Sequence, residues 1–308
     1  MSQQTASVPM PTSREMATTQ TKRQDSRQVT GSGIGAMTFL VICTLYFLVP
    51  FAWLIISATK NTGDLFGTFG FWFAPHFNLW SNLQYLFTYS DGLYLHWLLN
   101  SLLYAGVGAI VGTFLASMAG YALAKYVFPG RDLIFATILG VILIPATVLA
   151  LPLYLMMSSW GMSNTIWSVL LPSLVSPFGV YLSRIYASSS VPDELIEAAR
   201  IDGASEFRTF VTIAMRLMVP ALVTVLLFQF VSIWNNFFLP LIMLSNQNLF
   251  PISVGLQTWN QIAVGGSHEY LYPLIVSGAL VSAIPLLIGC FLLQRFWRGG
   301  LGAGSVKG

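Results

Sequence analysis

Leu133–Ser183 reads LIFATILGVILIPATVLALPLYLMMSSWGMSNTIWSVLLPSLVSPFGVYLS and carries no charged side chain. A helix crosses the hydrocarbon core of a bilayer in about 20 residues. The run is therefore too long for one crossing and long enough for two. Its polar stretch, Ser158-Ser159-Trp160-Gly161-Met162-Ser163-Asn164, divides it into two spans. Ile34–Thr59, uncharged and dominated by Leu, Ile, Val and Phe, is a first span. Trp97–Ala124 is a second, and the turn Phe128-Pro129-Gly130-Arg131-Asp132 separates it from the third. The uncharged stretch from Leu217 to His268 reads as a fifth span as far as Leu244; the remainder is too rich in Asn, Gln, Gly and Ser to face lipid. Leu271–Leu293 is the sixth. Residues 65–90 are uncharged and aromatic, but Pro75, His76, Asn78, Asn82 and Gln84 interrupt them, so they read as an interfacial or externally packed loop. The fold class is all-α: a polytopic membrane protein with six transmembrane helices.

Composition agrees. Of 308 residues, 55% are hydrophobic and 8% charged, against roughly 25% charged in soluble domains. Cys43 and Cys290 both lie in apolar runs, which predicts small buried hydrophobes and no disulfide framework. Residues 1–33, rich in Ser, Thr, Gln and Gly, read as a disordered tail; the apolar run after them lacks a small-residue cleavage site. With the N-terminus in the cytoplasm, every Lys and Arg except Lys60 falls on the cytoplasmic side of the six-span topology, as the positive-inside rule requires.

Prolines 145, 152, 172, 177, 240 and 285 fall inside spans and predict kinks, which membranes tolerate where neighbours or a wet cavity satisfy the freed backbone. The six spans hold no Asp, Glu or His. Intramembrane proteases and proton-coupled carriers need such groups at depth, so both classes are disfavoured. No internal repeat is evident, which also counts against a secondary carrier of duplicated halves. No metal-ligand cluster and no Gly-rich phosphate loop ending in Gly-Lys-Ser/Thr occurs, so neither cofactor nor ATP hydrolysis is expected in this chain.

The acidic loop Val191–Arg208, VPDELIEAARIDGASEFR, lies between spans four and five and holds five of the eleven acidic residues. Ser190 with Asp193 fits a capping box, Pro192 suits a first turn, and Gly203 is a natural helix stop. A second helix starts near Ser205. The pattern predicts a helix–glycine–helix knob projecting from the cytoplasmic face, with Ala198 and Ala199 leaving a low surface for a partner.

Glu197-Ala198-Ala199, three residues, then Gly203 resembles the coupling-loop motif of ABC importer permeases. Asn100–Arg131, Pro152–Thr165, Trp234-Asn235-Asn236-Phe237 with Pro240-Leu241, and the tail Gly300–Gly308 resemble the sugar-importer branch. The resemblance covers nearly everything after residue 34 and is closest to the second permease subunit of maltose-type importers. Ile213-Ala214-Met215-Arg216 departs from it, standing where the family has Ile-x-Leu-Pro.

The resemblance implies a type I ABC importer permease fold over residues 34–298, a coupling loop at 190–210, and a cytoplasmic tail at 299–308. It implies Glu197, Ala198, Ala199, Asp202 and Gly203 as the ATPase-coupling residues. Implied partners are a second permease subunit, two ATPase subunits and an extracytoplasmic solute-binding protein, in a lipid bilayer and without nucleic acid. Polar groups at membrane depth, Asn100, Gln229, Trp234, Asn235 and Asn236, are the candidates for a substrate pathway.

Overall fold

Inside lipid a backbone N–H or C=O has no water to turn to, so spans close their hydrogen bonds within helices. The computed structural model describes residues 31–266 and 268–303, and among them every regular element is helical. The chain parts into two units, residues up to 53 and residues from 54 onward. The first unit holds most of α1 (Gly31–Ala58), an apolar helix long enough to cross a membrane, with Pro50 inside it. Residues 1–30 of the expected N-terminal tail lie outside the described residues.

The first elements wholly within the second unit are α2 (Thr62–Gly67) and α3 (Leu79–Thr88), in the region expected as an interfacial or externally packed loop. Neither is long enough to span. Ser90, Asp91 and Gly92 take left-handed backbone (φ 49°, 58° and 75°) and separate α3 from α4 (Leu93–Lys125). α5 (Arg131–Ile142) and α6 (Ala146–Ser159) make a broken span, bent by 106° where Pro145 starts the second half. α7 (Ile166–Ser173) and α8 (Pro177–Ser190) follow, with Ser176 capping α8 by accepting from the Gly179 N–H at 3.2 Å.

α9 (Asp193–Ile201) and α10 (Glu206–Leu217) form the projecting loop, and α10 meets α11 (Val219–Trp234) at 86°. α12 (Phe238–Met243), α13 (Ile252–Val264) and α14 (Tyr272–Ala303) complete the chain. With each bent pair taken as one crossing, the spans number six.

Three expectations change. The fifth span stops at Trp234 rather than Leu244, because Asn235 and Asn236 break the helix before Pro240. Residues 252–264 of the polar connector are helical. Cys43 is half-buried and Cys290 exposed. A membrane-facing helix surface is itself in an apolar medium, so these thiols need no protein core around them.

Packing is organised by α4. Gly108, Gly112, Ala116 and Gly120 recur at four-residue spacing and share one face of the helix. A Cβ on Gly112 would stand 1.9 Å from Gln229 Nε2 and 2.9 Å from the Leu174 carbonyl; one on Gly120 would stand 2.7 Å from the Arg184 N and 2.8 Å from the Val180 carbonyl. Helices α8 and α11 therefore lie in van der Waals contact with α4. Gly179 completes the crossing, with room for a Cβ only 3.0 Å from both Ala116 and Val225.

At the end of the bundle away from α9, α4 holds the 244–252 segment by side chains. Trp97 Nε1 donates to the Gln247 carbonyl at 2.8 Å, the Tyr104 hydroxyl to Leu249 at 3.0 Å, and Ser101 Oγ accepts the Ile252 N–H at 2.8 Å.

Gly120→Leu should force α4 and α8 apart, at a cost of about 3 kcal/mol. Gly140→Leu, at a position with no neighbour within 4 Å, should be neutral. Melting temperatures of the purified variants in detergent check the contrast, and equal melting would refute the seam.

Candidate functional site

Two places concentrate polar chemistry: the α9–α10 knob and a cavity between broken helices. The knob's helix α9 starts at Asp193, with Asp193 and Glu194 in the first turn, complementing its positive end. The expected capping box is absent: the residue before the helix is Pro192, which makes no side-chain cap bond. Asp193 is instead paired with Lys125 Nζ at 2.8 Å.

The helix ends at a Schellman-type stop. Gly203 has φ 76°, and the Ala204 N–H reaches the Ala199 carbonyl at 2.9 Å. Ser205 then caps α10 by accepting the Arg208 N–H at 3.4 Å.

One face of α9 is anchored. Ile196 and Ala199 are buried, and Ile196 joins a cluster with Val191, Ala187, Tyr121, Phe210, Ala214 and Met218. The other face is free: Glu194, Leu195, Glu197, Ala198 and Asp202 are exposed, and Ile201 is 87% exposed. Of the five expected coupling residues, Ala199 therefore faces inward, while Glu197, Ala198, Asp202 and Gly203 face out.

The two knob helices are closed on each other by Arg200 Nε donating to Glu206 Oε1 at 2.7 Å, and the Tyr126 hydroxyl donates to the other Glu206 oxygen. The Arg200 guanidinium, and then the Tyr126 hydroxyl, hold the Glu206 carboxyl below the usual carboxylate range. Burial, followed by the hydrogen bond to Glu206, pushes the Tyr126 phenol well above its ordinary value. Lys125 and Tyr126 carried no signal in the sequence beyond a basic residue near a helix end.

The larger cavity, about 680 Å³, is bounded by the bend of α5–α6, the α7–α8 break and α11. Most of its lining is apolar; Thr147, Ser173, Ser176, Gln229, Ser232 and Asn236 supply the polar atoms. Gln229, 6% exposed, donates through Nε2 to the Ser173 carbonyl at 3.1 Å and the Gly108 carbonyl at 3.4 Å, while its Oε1 is buried with no protein partner.

A smaller cavity of about 400 Å³ is lined by Trp234, Asn235, Ser253, Gln257, Asn260 and Ser282, among others. The expected pathway residues thus divide. Gln229 and Asn236 share one cavity and Trp234 and Asn235 the other. Asn100 lines neither, its amide spent on the Asn248 and Phe250 carbonyls at 2.7 and 3.1 Å. Ser173 and Ser176 escaped notice in the sequence, because serine inside an apolar run carries no mark of a helix break.

Residues 108–298, which include the knob and both cavities, match the family model for the binding-protein-dependent transport system inner membrane component. The chain belongs to this family. It is 37% identical over 227 residues to the arabinooligosaccharides transport system permease protein of Halalkalibacterium halodurans, covering 74% of this chain and 79% of that one. It is 31% identical to the protein of the same description from Bacillus subtilis, covering 89% and 96%. Among solved structures, a crystal structure of a bacterial ABC transporter involved in the import of the acidic polysaccharide alginate superposes with a TM-score of 0.74 at 22% identity, over 88% of this chain and 98% of that one. The permease fold is therefore shared with an ABC importer.

A carboxyl made more acidic by folding stabilises the permease knob above its unfolded pKa, and the contribution is lost as pH falls through the lower folded value. The Arg200–Glu206 closure should therefore persist at neutral pH and open only below the ordinary glutamate range. Hydrogen exchange at residues 200–206 should rise there in the native chain and be elevated at all pH values in Glu206→Gln. A Glu206→Gln profile identical to the native one would refute the assignment.

Proposed function

We propose that this permease subunit imports a sugar or oligosaccharide by alternating access, driven by ATP hydrolysis in separate subunits. The observation that carries the reading is the knob: a helix anchored by one face, stopped by a left-handed glycine, and presenting an unpaired acidic and apolar surface to a partner. A loop that merely reversed direction would need only a few residues.

The proposed docking surface is Glu197, Ala198, Asp202 and Gly203, with Ala199 seating it from below. Two ATPase subunits would engage this knob and its counterpart on a second permease, and a solute-binding protein would deliver substrate on the opposite side. The knob and both termini lie in the cytoplasm in this reading, which the distribution of Lys and Arg supports. The chain's lack of a Gly-rich phosphate loop assigns hydrolysis to the partner.

Relatives described as arabinooligosaccharides permeases support an oligosaccharide substrate. The amide and hydroxyl groups that line the smaller cavity with Trp234 suit sugar rings and hydroxyls. Gln229 and Asn236 in the larger cavity, and Trp234 and Asn235 in the smaller, are the proposed pathway contacts; Asn100 fastens the 248–250 segment.

Pull-down of the tagged chain from native membranes in mild detergent should recover a second permease and an ATPase. Recovery of the chain alone, active after reconstitution, would favour a secondary carrier. Gly203 separates the coupling role from simple bulk. Its φ of 76° disfavours any Cβ, although no atom lies within 4 Å of where one would stand. Gly203→Asn should therefore retain uptake of arabinooligosaccharides, since asparagine tolerates this conformation. Gly203→Val and Glu197→Lys should lower uptake by about tenfold or more while ATP is still hydrolysed. Normal uptake in both would sink the coupling role.

A further inference from the structure

The last residue of α4 and the residue after it grip the start of each knob helix. Lys125, its side chain only 7% exposed, pairs with Asp193, the first residue of α9. Tyr126 donates to Glu206, the first residue of α10, and its ring packs edge-on against Tyr121 at 5.8 Å. Because Arg200 also closes on Glu206, the two grips hold the knob as one body rather than two loose helices.

Tyr126 is also the start of a tight turn into α5. The Arg131 N–H reaches the Phe128 carbonyl at 3.3 Å, the Ile134 N–H reaches the Gly130 carbonyl at 2.9 Å, and Gly130 has φ 83°. α5 has no buried residue, and it meets α8 through the Phe135–Tyr181 stack and the Arg184–Asp132 pair at 3.9 Å. Its far end contributes Val141 and Ile142 to the larger cavity and gives way to α6 at the Pro145 bend. Near its first turns the Arg184 guanidinium lies 3.6 Å over the Phe135 ring, fixing a fulcrum on α8.

We infer that Lys125 and Tyr126 form a two-point latch that transmits movement of the knob to α5, which acts as a lever on the larger cavity. The inference rests on the knob being the ATPase dock and names the positioning residues that make docking felt in the membrane. Asp193 is 74% exposed, so solvent screens its side of the pair and the pair contributes little stability; the latch contributes geometry. Lys125→Met keeps the buried aliphatic stem and Tyr126→Phe keeps the ring.

The test uses the complete complex, purified by pull-down and placed in nanodiscs, with hydrogen exchange followed with and without ATP, magnesium and vanadate. In the native complex exchange in residues 131–142 should change by about fivefold or more on trapping. In the Lys125→Met/Tyr126→Phe double variant the knob, residues 193–206, should still respond, while the change in 131–142 shrinks to within about twofold. Native residues 131–142 indifferent to nucleotide, or a full response surviving in the variant, would overturn the latch. Loss of the ATPase subunits from the variant complex would also overturn it, reducing the two residues to structural supports. Were Gly203→Val to uncouple transport while the double variant still transmits, the latch alone would fall; were Gly203→Val to transport normally, the docking reading would fall first.

Discussion

In a bilayer an apolar side chain gains almost nothing by exchanging lipid for protein, so close backbone contact and interhelical hydrogen bonds must draw helices together. The seam of Gly108, Gly112, Ala116 and Gly120 on α4 supplies that contact. Because α8 and α11 touch α4 through this face, they cross at Gly179 with no side chain to spare between them. The knob lies where α4 itself ends, its buried cluster continuing the same packing through Tyr121, Ala187 and Met218.

Broken helices would be ruinous in lipid if their freed backbone groups stayed unpaired. Four side-chain amides answer this, each serving two backbone groups. Asn82 donates to the Ala58 and Lys60 carbonyls, both at 2.9 Å, and Asn100 to Asn248 and Phe250. The oxygen of Asn164 accepts the Ser245 and Asn246 N–H groups, each at 2.9 Å. Gln229 bridges Gly108 to the α7–α8 break. Three of these fasten connecting segments. Gln229 alone does so beside a cavity.

How far the sequence could be read follows from which physics each feature obeys. Span existence depends on charge and length alone, so Leu133–Ser183 and Leu271–Leu293 were readable directly. The knob was readable because Gly203 and Ser205 act locally, through backbone conformation and one cap. The Ser190–Asp193 box was legible and misleading: Asp193 had a better partner in Lys125, which is distant in sequence and adjacent only after folding. The same limit hid the grouping of the pathway residues. Trp234, Asn235 and Asn236 are consecutive, yet the helix ends among them and sends them to different cavities. Asn82 and Asn164 looked like interruptions because an amide that fastens a loop and one that merely breaks a span have the same composition.

The departure at Met215-Arg216 illustrates how a local change is absorbed. A proline at position 216 would disfavour helix at residue 215 and end α10 there. With Arg216 in its place the helix continues to Leu217, through a π-helical turn in which the Met215 N–H reaches the Phe210 carbonyl. The 86° bend then falls at Met218, which is fully buried, and Pro220 occupies the first turn of α11, where its missing N–H is not needed. Arg216 itself is exposed in the last turn of α10, where a cation complements the helix's negative end. α10 reaches the buried cluster through the π-helical turn at residues 210–214, and the bend follows it at Met218.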